Sequence, residues 1–177
     1  IEPKAVQMLC DHVGCDLSRL ASEMDKLLVA SAGDRRVGAE LVEQQTGVSK
    51  DYNTIELQNA LAHHDAEKAM RIVKYFNTNP KSFALPPVLS SLFGFFSDVL
   101  LAYYAPSQSD EGIADYLGKN AWVAKQALIP ARRSYQGTKV VNILARIRET
   151  DAKSKGVGGC KTSPGELLQE LIFFILH

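Results

Sequence analysis

Residues 85–105, LPPVLSSLFGFFSDVLLAYYA, constrain the fold more than any other stretch. Leu89, Leu92, Phe93, Phe96, Val99, Leu100 and Tyr103 recur at helical spacing, and Val88, Phe95 and Leu101 add apolar surface on the other sides. A helix that is apolar nearly all round must be wrapped by other helices or by lipid. Its length alone permits a membrane span. Asp98, the serines, Gly94 and the Pro86, Pro87 pair oppose one, and no basic cluster flanks the stretch to orient it. The expectation is a buried central helix with the two prolines in its first turn, where their missing N–H groups cost little.

The remaining segments supply the helices to wrap it. From Pro3, Ala5, Val6, Leu9 and Val13 form a short apolar stripe stopped by Gly14. Asp16 is a reasonable N-cap for a second helix with Leu17, Leu20, Ala21, Met24, Leu27 and Leu28 on one face, closed by Gly33. A shorter third helix, 38–45, carries Leu41 and Val42 and stops at Gly47. Three short helices in about fifty residues are marginal alone. The polar run 49–53 reads as a linker, so the domain expectation is 1–50 and 51–177.

Beyond it, Thr54 and Asp65 are expected caps of two helices, the second presenting Ala66, Ala69, Met70, Val73 and Phe76. A turn with Pro80 leads into the central helix. Asp110 and Glu111 open a short helix ended by Gly118, where anions favour the dipole. Residues 122–135 are helical in pattern, and Pro130 should kink or split them. Residues 138–155 form a long amphipathic helix with Val140, Ile143, Leu144 and Ile147 inward, stopped by Gly156, Gly158 and Gly159. Ser163 and Pro164 start the last helix, bearing Leu168, Leu171, Ile172 and Ile175. No segment alternates as a strand, and the fold class is all-α.

Chemistry is sparse in this sequence. The three cysteines, Cys10, Cys15 and Cys160, make no paired motif, and His12, His63, His64 and His177 lack metal-ligand spacing. No phosphate-binding loop, nucleophile elbow or HExxH occurs, so no catalytic, cofactor or metal residue is nominated. With 46% hydrophobic residues the chain supports a real core. The formal net charge is zero, but 1–53 carries −3 and 54–177 carries +3, and within the latter 119–161 holds ten basic residues against Glu149 and Asp151. The basic residues are spread among apolar positions, so they read as outer helix faces, with weak DNA contact at most. Without a signal peptide or basic presequence the chain reads as cytoplasmic, and as a piece of a longer protein.

Three blocks, in order, resemble a known family. The first is Ala5-x3-Leu9-x4-Gly14-Cys15-Asp16-Leu17-x2-Leu20-x2-Glu23-x2-Lys26-Leu27, which is similar to the lid of clamp-loader subunits. The second is Leu57-x2-Ala60-Leu61, then Asp65-x2-Lys68-Ala69 and the apolar helix from Pro86. The third is Trp122 and the helix after it, Asp151-x3-Lys155-Gly156, and Leu167-Leu168-x2-Leu171-Ile172. Together they resemble the delta subunit of bacterial DNA polymerase III over nearly the whole chain. The resemblance implies a three-helix AAA+-type lid followed by a helical-bundle collar. It also implies a non-catalytic role in subunit assembly during clamp loading in DNA replication, without cofactor. The partners would be other clamp-loader subunits, with the sliding clamp contacted only through an N-terminal domain absent here. ATPase relatives carry an arginine three residues after the glycine of the lid turn, and here that residue is Leu17. Family members have glycine where this chain has His64.

The alternative is the C-terminal lid and collar of a clamp-loader-type ATPase, and a third is a helical adaptor outside replication. For the interface, Phe95, Leu101 and Tyr104 lie off the inner stripe of the central helix, and Phe173 and Phe174 do so on the last one. They are the expected partner-facing residues. Asp151 and Lys155 stand at i, i+4 and are first an intrahelical ion pair, with a collar-interface role second.

Overall fold

The computed structural model describes residues 1–13, 17–31, 36–46, 52–79, 83–159 and 161–177. The expected stops at Gly14, Gly33 and Gly47, the Asp16 cap, Cys15, most of the 49–53 linker, Pro80 and Cys160 lie outside the described residues. Among those described, all regular structure is helical, and the chain divides into two compact units, Ile1–Ile55 and Glu56–His177.

The first unit holds α1 (Pro3–Val13), α2 (Leu17–Ala30) and α3 (Ala39–Thr46). Its core is Ala5, Met8, Leu9, Val13, Leu27, Val37, Ala39 and Val42, with Leu20, Met24 and Leu41 packed against it. Two stripe expectations are corrected. Val6 faces outward and Met8 takes the inward place on α1. On α2, Leu17 is 78% exposed and Leu28 is also exposed, because the narrow seam between three short helices covers only the Leu20, Met24, Leu27 ridge.

The second unit is a helical bundle. Its elements are α4 (Thr54–Ala62), α5 (Ala66–Thr78), α6 (Leu85–Ala102), α7 (Asp110–Tyr116), α8 (Ala121–Val123), α9 (Ile129–Ser134), α10 (Gly137–Ser154) and α11 (Pro164–Leu176). The cap of α4 is Asn53, whose Oδ1 accepts the Ile55 N–H at 3.0 Å, so the Thr54 expectation moves by one residue. Asp65 caps α5 as expected, accepting the Lys68 N–H at 2.9 Å. Between them α4 ends in a Schellman turn: Asp65 N–H donates to the Ala60 carbonyl (2.8 Å) and His64 N–H to that of Leu61 (3.0 Å). This motif wants glycine at its left-handed position, and His64 occupies it at φ 55°.

α6 is the central element, but its inner face is rotated from the expected one. Leu85, Val88, Leu89, Leu92, Phe95, Phe96, Val99 and Ala102 are buried, whereas Phe93 is 40% exposed. α6 and α10 run in opposite senses. Pro86 and Phe93 lie beside Ile147 and Asp151, and Tyr103, just past α6, donates its hydroxyl to the Tyr135 carbonyl just before α10. Gln58 of α4 ties to α6 by donating to the Ser91 carbonyl and hydroxyl. Asp98, the one charged residue of α6, pairs with Lys119 at 3.0 Å.

The segment around Pro130 is divided, as expected, although the chain stays helical throughout residues 121–134. A π-helical turn, Ala124–Leu128, widens the helix just before α9, giving room for the proline ring against the carbonyl four residues back. Gly156, Gly158 and Gly159 all take positive φ after α10, and a full capping box of Ser163 and Glu166 opens α11.

Candidate functional site

The polar side chains of the second unit mostly hold the bundle together. Tyr135 is its anchor: the ring sits edge-on to Phe96 at 5.5 Å and stacks on His64 at 4.7 Å, and the hydroxyl donates to the Leu61 carbonyl at 2.8 Å. Burial pushes its phenol well above the ordinary tyrosine value. Ser134 adds a bond to the Ala62 carbonyl at 3.0 Å, so the last residue of α9 and the one after it satisfy carbonyls at the end of α4.

The basic stretch is largely neutralised by the fold. Lys119 pairs with Asp98, Lys125 with Glu111, Arg133 with Asp110, Arg146 and Lys153 both with Glu149, and Lys155 with Asp151. Hydrogen bonds from Lys153 and then Arg146 hold the Glu149 carboxyl below the usual carboxylate range, and the bond from Lys125 does the same to Glu111. Arg132 donates to Gln108, and Lys139 to the Phe174 carbonyl. Arg148 is exposed and makes no such contact among the described residues. A stretch whose cations are mostly paired with the chain's own acids offers little converged charge to a phosphate backbone.

The interface residues expected from the sequence do not form one patch. Phe95 is corrected: only 7% exposed, it packs edge-on against Phe96 at 5.2 Å inside the bundle, because the rotated α6 turns this side inward. Leu101 and Tyr104 are exposed, Tyr104 at 70%. Phe173 is 60% exposed, its ring 4.4 Å from that of His177. Phe174 is half-buried beneath the charged ends of Lys139 (4.5 Å) and Arg146 (4.9 Å), a cation–π cover on both.

Two open clefts collect these residues. One, of about 1010 Å³, lies among α5, α10 and α11 and brings Phe173 and Phe174 together with Met70, Glu170 and His177. The other, of about 510 Å³, lies between α6 and α10 and includes Phe93, Arg148 and Asp151. Asp151 is tied to Lys155 at 2.5 Å. Sequence reasoning missed Phe93 and Trp122 as exposed aromatics. Trp122 sits just after the Asn120 cap, in the first turn of a segment whose inner positions fall later, which was the available signal. Among the described residues no three His, Cys, Asp or Glu side chains converge as metal ligands.

A three-helix unit followed by this α-helical bundle is a clamp-loader-type fold. Among solved structures the Bacillus subtilis DNA clamp loader delta protein (YqeN) is similar to this chain, with a TM-score of 0.62 at 21% identity. The match covers 98% of this chain and 50% of that one, so the chain spans half the length of its structural neighbour. No protein-family model matches the chain, and no curated relative does.

Proposed function

We propose that this chain is the lid and collar part of a delta-type clamp-loader subunit. Residues 1–50 serve as the lid and 51–177 as the collar, acting in subunit assembly during sliding-clamp loading in DNA replication. The fold likeness to a clamp loader delta protein along 98% of the chain carries this reading. The sequence blocks and Leu17 at the place of the ATPase arginine favour the delta type, a non-catalytic role and no bound nucleotide. The partners are then other cytoplasmic clamp-loader subunits, met through the helix faces of the second unit. The sliding clamp is contacted only by sequence outside this chain, and DNA weakly.

Mixing the chain with the remaining bacterial clamp-loader subunits at micromolar concentration, followed by size exclusion with light scattering, tests the reading. Co-elution in a defined stoichiometry supports it. Elution of the chain alone, or co-elution with the isolated sliding clamp, overturns it.

A further inference from the structure

α6 has a mean hydropathy of 1.6 across Leu85–Ala102, high enough for a membrane span, yet only 44% of that window is buried inside the structure. Part of its uncovered surface is organised. Phe93 forms one wall of the cleft between α6 and α10, the buried Leu89 and Ile147 form its floor, and Pro86 closes one end. Farther along the same side stand Leu101, near the end of α6, and Tyr104 in the turn just past it, both exposed. From Phe93 to Tyr104 this stripe extends about 16 Å at helical rise, three turns of a docked helix.

The rim of the cleft carries Arg148 and Asp151, and the acid is already held by Lys155. Arg148 stands on α10 with two acids close by in sequence, and both are committed elsewhere: Glu149 to Lys153 and Arg146, Asp151 to Lys155. The guanidinium is therefore left uncompensated beside an apolar floor. Arginine and exposed aromatics at the edge of a desolvated pocket are the residue types that dominate binding energy at protein interfaces.

We propose that the α6–α10 cleft receives an amphipathic helix from a neighbouring protein subunit, its apolar side chains over Leu89, Phe93 and Ile147 and a carboxylate against Arg148. The complementary charge selects an acidic helix over a basic one. The inference rests on the clamp-loader assembly reading and specifies which face of the second unit does the work.

The test measures the affinity of the full chain for the reconstituted clamp-loader subunits by analytical ultracentrifugation, with Arg148→Glu, Phe93→Ser and, on the other cleft, Phe173→Ser. Arg148 and Phe93 are solvent-exposed, and helical circular dichroism checks that each variant folds. Arg148→Glu is expected to weaken assembly on the order of tenfold or more, with Arg148→Lys close to wild type and the wild-type affinity falling as salt is raised. Phe93→Ser is expected to weaken it comparably, and Phe173→Ser much less. Wild-type assembly that Arg148→Glu and Phe93→Ser leave unchanged overturns the cleft and spares the assembly reading. A wild-type chain that joins no subunit overturns both.

Discussion

Replacing Tyr135 by phenylalanine removes one oxygen from the most constrained point of the second unit. That oxygen is the sole partner Tyr135 offers the Leu61 carbonyl, at 2.8 Å. The carbonyl keeps a second donor, the His64 N–H at 3.0 Å. The loss is therefore that of an ordinary hydrogen bond, about 1 kcal/mol, and not the larger cost of a stranded buried acceptor. At neutral pH Tyr135→Phe should be less stable than wild type by that amount. Alkaline pH reverses the order. Burial raises the phenol above its unfolded value. A raised group contributes stability that is whole below the unfolded value, about 10, and is lost as pH climbs from there toward the folded value. One proton costs the wild type about 1.4 kcal/mol per pH unit in that window. The two urea-denaturation curves, followed by circular dichroism, should cross near pH 11, with the variant the more stable beyond it. A stability difference that stays constant from pH 7 to pH 11 would refute the buried phenol.

Three other outcomes follow from local geometry. Gly112→Ala should destabilise the chain by about 1–3 kcal/mol despite a helix-propensity gain near 1 kcal/mol; a Cβ there would stand 2.5 Å from the Ser107 Cβ, and a thermal melt gives the sign. Ser163→Ala should cost about 1 kcal/mol by breaking the capping box of α11, read as a lower urea midpoint. Duplex DNA should be held only at low ionic strength and released by about 0.15 M salt in an anisotropy titration, since the cations of 119–161 are mostly engaged by the protein's own groups.

Much of the architecture was legible because it rests on local chemistry. The Asp65 cap, the Ser163, Pro164 start of α11 and the glycine stop after α10 are each set by residues within one turn. The faces of the most apolar helices were not. On α6 nearly every side is hydrophobic, so periodicity could not say whether Phe93 or Phe95 points inward, and only packing against the other helices decided it. The same limit placed Leu17 and Leu28 inside when short α2 buries a single ridge. Pro130 signalled a disturbed helix, but widening or breaking depended on whether the neighbouring turn had room. His64 was visible as a departure from a family glycine. That it sits in the left-handed position of a Schellman turn, stacked on a tyrosine 71 residues away in sequence, was not. For the candidate site, the exposed Tyr104 and Phe173 could be read from their offset to the inner stripes. Arg148 could not, because what singles it out is the engagement of its neighbours by other bases.

The central claim is that the chain works as an assembled part through helix faces of its second unit. Amide hydrogen exchange on the free chain and on the chain within a reconstituted clamp loader tests this most directly. The account predicts that peptides spanning the first half of α6 and the C-terminal half of α10 exchange more slowly in the assembly, while peptides of the exposed α4–α5 turn are unchanged. Assembly that leaves α6 and α10 exchanging as in the free chain would contradict it.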